Sequence, residues 1–300
     1  MTLAHHSHAR WGASDRIGAA NLMTPESRLA ALSLVTTGQV YSLGRQISAA
    51  SPFLAPNQTP FVLSTAATWR NTIRMRRKLG AQNDAGSNLE RIEMNMHVGT
   101  HIDALGHFSI GDELYGGRDA FESVSDHGLV DLGIENCPPI VAPGVCLDLS
   151  GLDGGPHLGA GRAITADDLA RTADAAGVDI RAGDVVCLHS GWGRYYVTDN
   201  ARYCSGEPGI EESAARWLTQ RDVIAIAADS MAVEVLPNPR HPKVIMPVHQ
   251  HCLAESGVYL IENLFMDELV RDGITRFCFF LLPVPFKGAT GSPAQPIAMI

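Results

Sequence analysis

"MHVGTHIDALGHF", residues 96–108, sets His97, His101, Asp103 and His107 within eleven positions of a chain that has twelve histidines in 300 residues. Neutral imidazole and carboxylate suit a borderline divalent ion such as Zn²⁺, and Mn²⁺ accepts them when more oxygen ligands are added. In a strand, same-face residues lie about 6.6 Å apart, so His101 and Asp103 could share one ion directly. A fully extended chain would leave His97 about 13 Å from His101, at the limit of two imidazole arms. Gly99 permits a bend that removes the difficulty, and the Thr100 hydroxyl could steady a ligand from behind. His107, beyond Gly106, need not be a ligand and could face the reacting groups as general acid or base. An HxxxH pair alone is common by chance on a polar helix face. The aspartate and the further histidine are what distinguish this stretch.

Working outward, short apolar runs bounded by Gly, Asp or Pro read as buried strands: "PGVCLDLSG", "DVVCLHSGW", "VIAIAADS" and "RFCFFLLPV". "GQVYSLGRQI" reads as another strand. Helices are expected in "MTPESRLAALSLV", with Thr24 as N-cap and Pro25 at the first position. They are also expected in "TADDLARTADAAG", with Thr165 and Asp168 as a near capping box and Gly177 as the stop. "IEESAARWLTQR" and "HCLAESGVYLIENL" are further helix candidates. Residues 70–92, polar and rich in Gly and Asn, read as a long loop. Strands mixed with helices imply an α/β fold. The expected layout is one domain over 41–300, with an N-terminal extension over 1–40 packed on it.

A net charge of −9 lacks the basic face that phosphate neutralisation needs, so nucleic acid is not an expected partner. No long apolar run calls for a membrane span. Six scattered cysteines without a CxxC pair suit free thiols in a reducing compartment, so the cytoplasm is the expected location.

"HVGTHIDALGHF" resembles the HxGTHxDxxxH signature of the cyclase family of metal-dependent hydrolases, which includes bacterial kynurenine formamidases and isatin hydrolases. "RWGASDRIGAANLMTPE", "LHSGWG", "AADSMAVE", "PVHQHCLAESGVYLIENL" and "KGATGSPAQPIAMI" extend the resemblance over residues 11–300. It implies a swivelling β/β/α-type fold, metal ligands at His97, His101 and Asp103, and His107 as the proton carrier. It also implies a homodimer or homotetramer in which the neighbouring subunit closes the site. In the formamidases a ligand histidine stands twelve residues before a glutamate. Glu262 matches that glutamate, and counting back twelve selects Gln250 as the residue at the metal, between His249 and His251. Glu262 is then read as a catalytic, proton-handling carboxylate beside one ion.

The resulting expectation is a hydrolase of a carbon–nitrogen amide bond in an aryl formamide, cyclic amide or imide. Water activated by a divalent metal, Zn²⁺ ahead of Mn²⁺, attacks the carbonyl and His107 moves the proton. A lactone or other cyclic ester could use the same site. A metal-stabilised ligand-binding protein is the reading from another class, and a closed set of four protein ligands would mark it. A nucleophile at Ser190 has no recognisable base or GxSxG elbow. His5, His6 and His8 read as incidental, and His189 as a strand-end core histidine. Asp229 and Glu234 are read first as holding the loop "VLPNPRHP", with lining the site as the alternative. Trp69 with "RNTIRMRRK" reads as a solvated loop, and "GATGSP" as a structural turn.

Overall fold

In the computed structural model, which describes residues 10–300, the apolar runs become strands of one sheet. In chain order these are β1 (Val40–Ser42), β2 (His101–Asp103), β3 (Ile140–Asp148), β4 (Val185–His189), β5 (Ala225–Ala228), β6 (Tyr259–Glu262), β7 (Arg276–Leu281), β8 (Gly291–Pro293) and β9 (Ile297–Met299). Their order across the sheet is β1-β9-β7-β3-β4-β5-β6-β2-β8. The centre, β3 to β6, is parallel, and the flanking pairings are antiparallel. Every residue of β4 and β5 is buried, as expected of unbroken apolar runs covered on both faces. This is the mixed α/β architecture expected from the sequence. His5, His6 and His8 lie outside the described residues.

The helix signals hold where local chemistry is strong. α1 (Pro25–Leu32) is capped by the Thr24 side chain, which accepts from Ser27 N, and Pro25 opens it. α3 (Ala166–Ala175) has a full capping box between Thr165 and Asp168. Residues 70–92 depart from the expected loop. Strand Val62–Ala67 and strand Leu89–Glu93 pair antiparallel, with α2 (Trp69–Lys78) between them. Arg, Met and Lys are good helix formers, Thr68 caps the start, and Arg76, Arg77 and Lys78 face the negative end of the helix dipole. Polarity concealed a helix rather than excluding one.

"HCLAESGVYLIENL" also divides. The helix that starts at Pro247 runs to Ser256, its last seven residues wound as a π-helix, and Gly257 at φ 66° ends it. The residues after Gly257 form β6, whose apolar Tyr-Leu-Ile run lies between β5 and β2. Gly257 also seats the N-terminal segment. A Cβ on Gly18 would stand 2.2 Å from Gly257 O, so only glycine fits there.

Candidate metal centre

The register of β2 against β6 builds the site, because it places His101 directly opposite Glu262. Asp103 stands two residues along the same strand. Gly99, at φ 78°, turns the chain just before β2. The bend brings the His97 and His101 rings to 5.0 Å between centroids, removing the separation an extended chain would impose. The Thr100 hydroxyl, expected to steady a ligand from behind, bonds to none of the candidate ligands. It donates to Asn263 O and accepts from Arg45 N.

Five side chains converge. His97 Nδ1 lies 2.9 Å from Asp103 Oδ1, and His101 Nε2 lies 3.5 Å from that oxygen and 3.1 Å from Glu262 Oε2. His249 Nε2 lies 3.2 Å from Glu262 Oε1 and 3.6 Å from Asp103 Oδ2. Two ligands about 2.0–2.2 Å from a common ion stand roughly 3–4 Å apart, and these separations fall in that range. Two overlapping triplets could each hold an ion, His97 with Asp103 and His107, and His101 with Asp103 and Glu262. Asp103 is common to both.

The strongest sign that these residues fit a cation is unmet valence. Both carboxylate oxygens of Asp103 and Nε2 of His101 are buried without a hydrogen-bond partner, although other polar atoms stand close. Leaving three such atoms unpaired in a protein interior costs free energy unless something else binds them. Each imidazole is meanwhile held by its far nitrogen. His101 Nδ1 donates to Gly99 O at 2.8 Å, which leaves its Nε2 lone pair facing inward. His249 Nδ1 meets Glu234 Oε1 at 2.6 Å, and His97 Nε2 meets Thr290 Oγ1 at 2.9 Å. Outer partners of this kind fix ring orientation and tautomer in metal sites.

Electrostatics agree with a cation-seeking pocket. Burial alone would raise the Asp103 carboxyl, but His107, His97 and His101 hold it well below the carboxylate range. Burial opposes charging of His249, yet Glu234 and Glu262 on its two nitrogens push its pKa well above the ordinary value. A divalent cation bound between His249 and Glu262 would compete with a proton for the imidazole nitrogen. His107 differs. Burial pushes it down to about 3, with His97 and His249 adding to the effect against Asp103. Its ring stacks on His97 at 4.0 Å between centroids and is neutral near pH 7.

The structure therefore brings together His97, His101, Asp103, His107 and Glu262. It corrects the position given to Gln250. The Gln250 amide donates to Ser109 O, and His249 occupies the cluster instead. The spacing to Glu262 is thirteen residues, and the π-helix absorbs the difference, since it closes i→i+5 rather than i→i+4 rings. His251 faces away, bonded to Glu255 and Thr219. Ser190 donates to Asp229 Oδ1 at 2.6 Å, an arrangement that ties a loop rather than activating a nucleophile. His189 ends β4 and pairs through Nδ1 with Asp148. Asp229 also accepts from Gly193 N, so it ties the turn after β4 rather than the loop "VLPNPRHP", whereas Glu234 reaches the cluster through His249. Thr290, in the "GATGSP" turn, contributes through His97. Sequence carried no signal for it, because a lone threonine in a Gly-rich turn is ordinary.

A model of the cyclase family matches residues 36–235. The chain belongs to the cyclase family. The matched segment contains His97, His101, Asp103, His107 and Glu234, while His249, Glu262 and Thr290 lie beyond it. Cyclase-like protein 2 of Oryza sativa subsp. japonica is 25% identical over 229 residues, covering 74% of this chain and 69% of that protein. A crystal structure described as a novel cyclase superposes with a TM-score of 0.87 at 28% identity, covering 99% of this chain and 100% of the other. Isatin hydrolase A from Ralstonia solanacearum has a TM-score of 0.65 at 21% identity, covering 92% and 97% respectively. A structure described as a potential metal-dependent hydrolase with cyclase activity has a TM-score of 0.53 at 20% identity, covering 87% and 98%. The family's fold thus extends over nearly the whole chain. No helix among the described residues is long and apolar enough to cross a membrane.

Proposed function

We propose that this cyclase-family chain is a metal-dependent hydrolase of a carbon–nitrogen amide bond in an aryl formamide, a cyclic amide or an imide. The observation that carries the reading is Asp103, whose two buried, unpartnered oxygens face imidazole nitrogens already oriented from behind. His97, His101, Asp103, His249 and Glu262 would hold the ion or ions, and Zn²⁺ suits this nitrogen-rich set better than Mn²⁺. A divalent ion bound there supplies Lewis acidity and lowers the pKa of water. His107, held neutral by burial, accepts a proton from the attacking water and returns it to the leaving nitrogen. The Phe108 ring, 4.9 Å from His107 and 4.7 Å from His249, offers an apolar wall for a flat substrate. Support for an amide comes from the name of the isatin hydrolases that share the fold, since isatin is a cyclic amide.

The deciding experiment screens purified, Zn²⁺- or Mn²⁺-loaded protein against formamides, cyclic amides, imides and lactones. Turnover of a C–N substrate, lost on chelation and restored by metal, is the expected result. Turnover confined to lactones would replace the amide reading with ester hydrolysis. Tight metal binding with no turnover of any class would favour a ligand-binding protein.

A further inference from the structure

Arg45 follows β1 and lines a cavity of about 330 Å³, where it meets Tyr196 and Val197 from the segment after β4 and Phe265 from the segment after β6. Its guanidinium carbon lies 4.8 Å from the centre of the Tyr196 ring and 5.6 Å from that of Phe265. Aromatic faces stabilise a cation but do not satisfy N–H groups directed in its plane. Nε and Nη2 are buried without a hydrogen-bond partner, and the side chain forms no ion pair among the described residues. Arg118, Arg162 and Arg276 show the contrast, since each of these partly buried side chains meets a carboxylate.

Nε and Nη2 share one edge of the guanidinium, and their N–H bonds run side by side. That fork is what a carboxylate fills with two parallel bonds. Buried donors left unpaired cost free energy, so the edge calls for an acceptor. None of the described residues lining the cavity is acidic, and Arg45 carries their one charge. Val197 is β-branched yet held at φ 65°, a conformation such residues rarely adopt. Strained positions of this kind collect where ligands bind.

We propose that the cavity at Arg45 binds a small organic carboxylate, its oxygens on the guanidinium and its flat apolar body against Tyr196, Val197 and Phe265. Cavities of about 300 Å³ and more hold small ligands, and aromatic walls favour a flat one. The site is distinct from the candidate metal ligands. Arg45 reaches their segment only through its backbone, whose N–H donates to Thr100 Oγ1 at 2.8 Å. The inference is independent of which bond the metal centre cleaves.

Calorimetric titration of benzoate tests it, on the metal-loaded protein and again after chelation, which removes any carboxylate binding to the ion itself. One saturable site per chain should survive chelation. Benzamide, of the same shape without the charge, should not fill it. Arg45→Met should weaken benzoate by about tenfold or more, the loss expected for hydrogen bonds to a charged group. It should keep the wild-type circular dichroism, because the guanidinium has no partner to lose. Arg45→Lys keeps a charge without the fork and should fall between the two. Were Arg45→Met to misfold, wild-type benzoate affinity in Arg45→Lys would overturn the proposal by itself. So would the absence of a chelation-resistant site, benzoate affinity unchanged in Arg45→Met, or benzamide binding as tightly as benzoate.

Discussion

Glu234 Oε1 lies 2.6 Å from His249 Nδ1, and the same carboxylate accepts the backbone N–H groups of Val248 and His249. One buried side chain thus sets both the start of the helix and the orientation of the imidazole that this helix carries into the candidate metal centre. Glu234 is itself held in place from below. Buried Glu207 accepts from Met231 N and Ala232 N, which fixes the loop that leads to Glu234.

Glu234→Ala should therefore weaken metal binding by about 10- to 100-fold, the usual effect of losing an outer partner of a ligand histidine. Glu234→Gln keeps an oxygen acceptor for Nδ1–H and should lose less. Competition against a chelator measures both. Equal affinity in wild type, Ala and Gln variants would mean that His249 does not bind the ion.

His249 and its neighbours can be separated directly. His249→Ala should lower metal affinity, while Gln250→Ala and His251→Ala should leave it near wild type, because their side chains contact Ser109 and Glu255 instead. If only Gln250→Ala lost affinity, the register read from the structure would be wrong.

His101→Ala and Asp103→Ala should abolish stoichiometric metal while the fold survives, since a core of this size does not depend on an ion. Elemental analysis with circular dichroism reports both quantities. With Asp103 shared by two donor triplets, its removal should cost more metal per chain than removal of His97. Undiminished metal in the Asp103 variant would contradict the assignment.

His107→Ala should retain metal yet lose turnover by about 10²- to 10⁴-fold, the contribution of a positioned acid–base group. Metal loss as complete as in His101→Ala would make His107 a ligand instead.

Asp168 gives a prediction on stability. Burial opposes its charge, but Arg162 and the Thr165 backbone and hydroxyl outweigh this and lower it from 3.8 to about 2. A depressed folded pKa gives stabilisation that is present above the unfolded value and lost as pH falls through the folded one. Asp168→Asn should thus destabilise the protein near neutrality and flatten the loss of stability between about pH 4 and pH 2. Denaturant titrations across that range check it, and an unchanged acid limb would show that Asp168 contributes nothing there.

The buried strands, the caps at Thr24 and Thr165, and the cluster from His97 to His107 were legible in the chain itself. Each depends on residues close together in sequence: an apolar run, a hydroxyl next to a helix start, a glycine that lets a short segment bend back on itself. The hidden helix in 69–78 was missed because its neighbours are polar, although its propensities and cap were local and readable. His249 and Thr290 were of another kind. Whether His249, Gln250 or His251 enters the centre depends on a π-helix and on the pairing of β6 with β2, and no count along the chain contains either. Thr290 meets His97 across 193 positions. Glu234 had two open readings that only its contact with His249 resolved. Local sequence determined which groups could bind a cation. Long-range strand register and helix winding decided which of them face one, because those are set by the packing of the whole sheet.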